Sequence, residues 1–89
     1  MTQTLDWDDT GTLAGEELSA GGARVLAVGD GVIGYTAALP AGMSAAEGLA
    51  DFAAGYRAGD EPCEVAVDWM IWEGGEQVDA GSWSWSWPS

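Results

Sequence analysis

The chain has 89 residues with fifteen Asp and Glu, two Arg, no Lys and no His, so its formal net charge is −13 at pH 7. This length allows one domain, residues 1–89, with a single modest core, and a hydrophobic fraction of 47% with six Trp predicts a folded chain rather than a disordered acidic tail. The charge disfavours direct binding to nucleic acid or to an anionic membrane, and the lack of His excludes Ser-His-Asp and Cys-His catalysis, so we expect neither an enzyme nor a cofactor.

The N-terminal residues and the cysteine content bear on the cellular location of the protein. Met1 to Asp9 contain no basic region and no apolar run, which is unlike a signal peptide. No stretch approaches the ~18 consecutive apolar residues of a membrane helix. The single Cys63 excludes an internal disulfide and fits a reducing compartment. We therefore expect a cytoplasmic protein of a bacterial or archaeal cell.

Alternating apolar and acidic residues predict a short strand over Thr2 to Trp7. One face of this strand carries Leu5 and Trp7, and the other carries Asp6 and Asp8. The segment that follows, Thr10 to Gly22, is rich in Gly and polar residues and predicts a loop with a helical turn near Glu16.

A hairpin is predicted from Arg24 to Val28 and from Val32 to Leu39, around Asp30-Gly31. Asp-Gly is a strong signal for a two-residue turn, because such a turn needs positive φ at both positions. The resulting register pairs Val28 with Ile33 and Leu26 with Tyr35 on one core face. The other face carries Val25, Ala27 and Val32, which, if exposed, would suit a protein interface or a homodimer.

A helix is predicted from about Ala45 to Ala58. Ser44 and Glu47 have the spacing of a capping box, Gly59 is a natural stop, and Arg57 suits the negative end of the helix. One stripe at helical spacing holds Ala45, Leu49, Phe52, Ala53 and Tyr56. Gly48 and Gly55 weaken the helix but allow close approach to a sheet.

The last hairpin is predicted from Cys63 to Glu73 and from Glu76 to Trp87, with a turn at Gly74-Gly75. Cys63 is in phase with the core residues and is expected to be buried. A regular register turns Trp83, Trp85 and Trp87 away from the core, whereas a bulge at Gly81 turns them inward. We favour the inward arrangement because three exposed Trp are costly; the outward one would suit a protein interface or a homodimer.

These elements predict an α+β fold in β-ββ-α-ββ order, with an antiparallel sheet of about five strands and one helix packed on one face. No long repeat is present.

One segment resembles a calcium-binding EF-hand loop. Asp6, Asp8, Thr10, Gly11 and Glu17 match its ligand and glycine positions. Thr10 departs from the usual Asp or Asn, and the flanking sequence does not predict the helices of an EF-hand. We therefore expect a solvated acidic loop and no metal, with calcium at Asp6, Asp8, Thr10 and Glu17 as the minor alternative.

The acidic residues are the better functional candidates, because ordinary surfaces mix both signs of charge and this one does not. Asp6 and Asp8 lie roughly 6.6 Å apart along a strand, close to two phosphate steps of DNA at about 6.8 Å. We expect a partner-binding surface made of Asp6, Asp8, Asp9, Glu64, Asp68, Trp72, Glu73, Glu76 and Asp79.

In size, acidity and strand content the chain resembles small phage and plasmid inhibitors that mimic DNA, of the anti-CRISPR and anti-restriction type. The resemblance extends over the whole chain but rests on no sequence motif. It implies a basic DNA- or RNA-binding enzyme as the partner, blocked by occlusion of its binding groove. The alternative is an acidic, salt-adapted interaction domain without such a target, with which the absence of Lys also agrees.

Overall fold

A five-stranded antiparallel sheet organises the chain, in the strand order β1-β3-β2-β4-β5. The computed structural model describes residues 5–11, 14–56 and 59–87. The elements along the chain are β1 (Asp8–Asp9), α1 (Gly15–Ser19), β2 (Arg24–Gly29), β3 (Gly34–Ala38), α2 (Ala45–Gly55), β4 (Cys63–Glu73) and β5 (Glu76–Trp87). The α+β fold with α2 on one sheet face is confirmed, and α1 is the helical turn expected near Glu16.

The N-terminal pairing lies later than the sequence predicts. β1 is only Asp8–Asp9, which pairs with Thr36 and Tyr35 of β3. The expected alternation still holds around it, since Leu5 is buried, Trp7 packs against the core and Asp6 is exposed. The start of the predicted strand, residues 1–4, lies outside the described residues.

The first hairpin has the predicted faces but a different turn. Val28 pairs with Tyr35 and Leu26 with Ala37, so the predicted register is wrong by two residues. Gly31 has positive φ, but Asp30 does not, which excludes the two-residue type I′ turn. Instead, the Asp30 carboxylate accepts hydrogen bonds from the amides of Val32 and Ile33 and holds a wider loop.

The start of α2 agrees with the sequence and its end does not. The Ser44 hydroxyl accepts a hydrogen bond from the Glu47 amide, as the capping pattern predicts. The helix ends at Gly55 rather than Ala58, because Tyr56 is already extended at ψ 139°. The last turn of the helix as described, Ala45–Gly55, contains no basic residue, and Arg57 and Ala58 lie outside the described residues.

The main core lies between α2 and one face of the sheet. Leu49 and Phe52 of α2 pack there against Leu26, Val28 and Ile71, all buried. Gly48 makes this approach possible, since a Cβ there would lie 2.7 Å from Cδ2 of Leu26.

The opposite face has a smaller covered region beneath α1. Val25 and Ala27 are both buried there and offer no apolar surface to a partner, whereas Val32 is exposed. Gly15 of α1 lies directly over Trp72, where an added Cβ would meet the indole ring. The α1–sheet contact therefore depends on a residue without a side chain.

The three Trp of β5 turn toward the core, as we favoured. Val65 pairs with Trp85 and Val67 with Trp83, and all three Trp pack against the core cluster. The irregularity lies between Ile71 and Trp72 of β4, opposite Val78, and not at Gly81. Gly81 instead accommodates the ring of Trp69.

The expectation that Cys63 is buried is wrong. It pairs with Trp87 at the last rung of the β4–β5 ladder and is exposed as a free thiol. The alternation along β4 is correct, but this end of the strand lies beyond the residues that form the core cluster.

Candidate functional site

One face of the sheet, opposite α2, carries a group of exposed carboxylates that we call the acidic face. Glu64 and Asp68 point there because they alternate with buried Val65 and Val67 on β4. The members of the acidic face are Asp6, Asp8, Glu16, Glu17, Glu64 and Asp68, all exposed. Asp68 lies four residue steps along the strand from Glu64, about 13 Å, which is close to four phosphate steps along DNA.

Serine hydroxyls of β5 hold two of these carboxylates in place. Ser82 donates a hydrogen bond of 3.0 Å to Asp68, and Ser86 donates one of 2.9 Å to Glu64. Each pair bridges neighbouring strands, because Asp68 is opposite Ser82 and Glu64 is opposite Ser86 in the ladder. Each of these two carboxylates therefore has one cross-strand hydrogen bond that restrains its orientation on the sheet.

Asp6 and Asp8 extend the acidic face to the β1 edge of the sheet. Together with Leu18 of α1, Val25 and Thr36, they line a depression of about 300 Å³. Its carboxylates are exposed, while Val25 and Thr36 are buried.

The predicted contact residues do not all share this face. In the strand register, Glu73 and Asp79 lie on the α2 side, since Asp79 pairs with Ile71. Asp9 pairs with Tyr35 and lies on the same side. Glu76 pairs with Glu73 at the hairpin end. β1 and β5 are opposite edges of the sheet, about 19 Å apart at four strand spacings, so no single strip joins Asp9 with Asp79.

Trp72, the aromatic member of the predicted contact set, has a packing role. It is half-buried, with its ring against Gly15 of α1. It supports the helix that carries Glu16 and Glu17 rather than offering an open aromatic surface.

The EF-hand-like residues are not gathered into a metal site. Among residues 5–11, 14–56 and 59–87, no group of three or more His, Cys, Asp or Glu is arranged to hold a metal ion. The Thr10 hydroxyl donates a hydrogen bond to the Gly34 carbonyl, and Glu17 belongs to α1. The calcium alternative therefore lacks the clustered carboxylates that it requires.

The acidic residues are overwhelmingly at the surface. Thirteen of the fifteen Asp and Glu are exposed, and the other two, Asp30 and Asp51, are half-buried. The Arg24 guanidinium donates a hydrogen bond of 2.9 Å to the Met43 carbonyl, so it serves the fold near the start of α2. Over the described residues the surface charge is therefore overwhelmingly negative.

A second feature, which the sequence analysis did not find, lies on the α2 side. Trp7, Tyr35, Phe52, Gly55 and Tyr56 line a depression of about 360 Å³, which we call the aromatic pocket. Phe52 is its centre, with ring centroids 5.0 Å from Trp7, 5.1 Å from Tyr35 and 5.2 Å from Tyr56.

Carboxylates hold the polar atoms of three pocket rings. Asp51 accepts a hydrogen bond of 2.9 Å from the Trp7 indole. Asp30 accepts one of 3.2 Å from the Tyr56 hydroxyl and another from the Tyr35 hydroxyl. The two half-buried carboxylates of the molecule are thus both committed to this pocket.

The pKa values around the pocket reflect these bonds. Burial raises the pKa of Asp30, but hydrogen bonds from the Ile33 and Val32 amides and from Tyr56 and Tyr35 outweigh it, so the pKa lies below its ordinary value. Burial, followed by the charge of Asp30, raises the pKa of Tyr56 and of Tyr35. The carboxylate therefore stays ionised and both hydroxyls stay protonated across the neutral range.

Sequence analysis did not reveal the pocket, because its lining residues come from three separate segments: the segment before β1, strand β3 and the C-terminal end of α2. Phe52 and Tyr56 were already in the helical stripe, and Tyr35 was placed on the core face. The sequence did not indicate that Asp51 would accept a hydrogen bond from the Trp7 indole, or Asp30 one from the Tyr56 hydroxyl. Both bonds join residues that lie far apart along the chain.

Comparisons with models of protein families, with curated proteins and with solved structures give no match for this chain. Within the described part of the chain, no helix has the length and apolar character needed to cross a bilayer.

Proposed function

We propose that this protein is a non-enzymatic inhibitor that mimics the phosphate charge of DNA and occludes the basic groove of a nucleic-acid-binding enzyme. Its target would be a host defence or DNA-processing enzyme in a bacterial or archaeal cytoplasm, as for anti-CRISPR or anti-restriction proteins. The observation that carries the proposal is the exposure of thirteen carboxylates on a fold with two Arg and no Lys or His.

The acidic face is the part of this surface best suited to the role. Its strand carboxylates are held by cross-strand serines, so little side-chain freedom is lost when a partner binds. Its sheet is flanked by small residues, Ala66, Ser82 and Ser84, which allow close approach of a groove. Arg and Lys of the partner would meet Glu64, Asp68 and Asp8, with fast, salt-sensitive association.

The test is capture of a DNA-binding protein on the immobilised chain. The bait is offered a heparin-bound fraction of a bacterial lysate at low salt, and the retained proteins are identified and purified. We expect a basic nucleic-acid-binding enzyme whose retention falls steeply as the NaCl concentration rises.

Matched charge variants locate the contact. Glu64→Gln/Asp68→Asn removes two charges from the acidic face, and Asp60→Asn/Glu61→Gln removes two from the connection before β4. We expect the first variant to weaken binding of the purified partner about tenfold or more, with a much smaller effect of the second. Equal effects of both variants would contradict a role for the acidic face.

Salt adaptation is the competing explanation, since a large net negative charge also suits a protein in a saline medium. In that case no basic partner is retained, and the melting temperature climbs steeply with NaCl for the wild type and for both variants. Together these two results would reject the inhibitor proposal.

A further inference from the structure

The aromatic pocket combines four aromatic rings with nearby carboxylates. Trp7, Tyr35 and Tyr56 surround Phe52, which is only 4% exposed, and the depression between them is open to solvent with a volume of about 360 Å³. Such a volume accommodates a small head group with several carbon atoms. Most of the lining is carbon, because the ring polar atoms are engaged elsewhere.

The charges around the pocket are negative. Asp30 is hydrogen-bonded to Tyr56 and Tyr35, and Asp51 to Trp7. Asp9 pairs with Tyr35 across β1 and β3, and its charge is close enough to raise the pKa of the Tyr35 hydroxyl. Three carboxylates therefore border four rings, within a molecule of net charge −13.

Aromatic faces and carboxylates attract the same kind of ligand. The ring face carries negative potential, so a cation whose charge is spread over alkyl or guanidinium groups binds it while burying apolar surface. An anionic ligand would be repelled by the bordering Asp residues, and a purely apolar ligand would gain nothing from them.

The walls of the pocket are fixed before any ligand arrives. Trp7 is anchored to α2 through Asp51, and Tyr56 is anchored to the first hairpin through Asp30. Tyr56 reaches this position because the helix ends at Gly55 and the backbone of Tyr56 is extended. The space beside Gly55 is open, since an added Cβ there would meet no atom within 4 Å. Preorganised rings lose little conformational entropy on binding.

We propose that the aromatic pocket is a binding site for an organic cation, either a quaternary ammonium or a guanidinium head group. The head group lies against the rings of Trp7, Tyr35 and Tyr56, with Asp30 and Asp9 supplying the opposite charge. This site is independent of the acidic face, because it lies on the other side of the sheet.

The probes are choline and an N-acetyl-arginine amide, titrated into ¹⁵N-labelled protein. The readouts are the indole N–H signal of Trp7 and the amide signals of Gly55 and Tyr56. We expect saturable shifts at these signals with at least one probe. Binding of choline alone identifies a free quaternary ammonium as the source, and binding of the arginine amide alone identifies a protein side chain.

Two controls distinguish a cation-binding site from a surface that binds any apolar group and from one that responds only to ionic strength. The neutral isostere of choline, 3,3-dimethyl-1-butanol, should bind about tenfold more weakly, and NaCl at equal ionic strength should leave the signals unshifted. Equal binding of the alcohol, or equal shifts with NaCl, would overturn the proposal, as would the absence of saturable shifts with both probes.

Variants test the assignment of the site. Asp30→Asn should weaken cation binding about threefold to tenfold, whereas Asp68→Asn, the same charge change on the opposite sheet face, should have little effect. Tyr56→Leu keeps an apolar wall but removes its π face and should weaken binding to a similar extent. If Tyr56→Leu fails to fold, Asp30→Asn against Asp68→Asn decides, and equal effects of these two would contradict the site.

Failure of the cation-site proposal can be distinguished from failure of the inhibitor proposal, because the two proposals concern different residues. The Glu64→Gln/Asp68→Asn variant is expected to lose partner binding and to keep the choline or arginine shifts. Asp30→Asn is expected to keep partner binding and to weaken binding of choline or the arginine amide.

Discussion

The two faces of the sheet use the same strands for opposite purposes. On β5, Trp83, Trp85 and Trp87 turn toward α2 and the core, while the alternating serines turn to the acidic face, where Ser82 and Ser86 bind carboxylates. On β4, Val65 and Val67 are buried, while Glu64 and Asp68 are exposed. The period-2 alternation of strands thus separates stability from surface charge, so that an acidic surface does not require an acidic core.

The comparison also explains how a chain of charge −13 tolerates its self-repulsion. Most of the buried apolar residues lie on the α2 side, where aromatic rings surround Phe52, and a smaller buried region lies beneath α1 on the opposite face. Substitutions on the two faces should therefore have separable effects.

The largest expected effect is the loss of the central ring of the α2 side. Phe52→Ala should lower the free energy of unfolding by about 3–5 kcal/mol, because it removes a buried ring that contacts Trp7, Tyr35 and Tyr56. Ser84→Ala on the exposed opposite side should change it by less than about 0.5 kcal/mol. Urea denaturation measures both, and similar values would contradict the division between faces.

Two glycines of α2 sharpen the contrast within one helix. Gly48→Ala should cost about 1 kcal/mol net, since the new Cβ would lie 2.7 Å from Leu26, and this overpacking exceeds the gain in helix propensity. Gly55→Ala should stabilise by about 0.5 kcal/mol, because nothing lies within 4 Å of its added Cβ. Thermal or urea unfolding of both variants should therefore show shifts of opposite sign.

The helix cap has an intermediate effect. Ser44→Ala should cost about 1 kcal/mol, since the Glu47 amide loses its acceptor at 3.2 Å. Ser44→Asp preserves an acceptor and should remain within about 0.5 kcal/mol of the wild type. Equal losses for Ala and Asp in urea unfolding would show that the cap bond does not contribute.

The smallest expected effect is a loss of folding stability at alkaline pH, which involves the two tyrosines of the aromatic pocket. In the folded state the pKa values of Tyr35 and Tyr56 are raised above the ordinary tyrosine value of about 10, so their contribution to stability is fully present well below pH 10. As pH rises above 10, the unfolded chain releases these protons first, and stability falls until the folded-state pKa values are passed. The chain has no Lys to obscure this decline.

Urea unfolding between pH 9 and pH 11 measures the alkaline decline. Tyr35→Phe/Tyr56→Phe should flatten it, because the two tyrosines of the chain are then gone. An unchanged decline in this double variant would assign it to another group.

The sequence predicted the parts of the fold that depend on local chemistry. Alternation gave the faces of β4, and the Ser44–Glu47 spacing located the start of α2. The errors came from contacts between distant segments. The α2 end depends on Tyr56 reaching Asp30, and the covering of Val25 depends on α1 packing over Trp72.

The candidate sites divide in the same way. The exposure of the carboxylates on the acidic face could be predicted from composition and alternation, because charged side chains are ordinarily exposed to solvent. The aromatic pocket could not, since Leu5 and Trp7 meet Asp51 across 46 and 44 residues of chain. Which acids lie close together on one face also required the order of the strands, which places Asp9 and Asp79 at opposite edges of the sheet.

The most direct test of the central claim is competition between this protein and DNA for one partner. The captured enzyme is bound to the immobilised chain and challenged with duplex DNA, and separately with NaCl matched in ionic strength. We predict that DNA releases the enzyme at concentrations near its own affinity for that enzyme, while the matched salt does not. Retention of the enzyme in the presence of saturating DNA would contradict charge mimicry, because the two ligands would then occupy different surfaces.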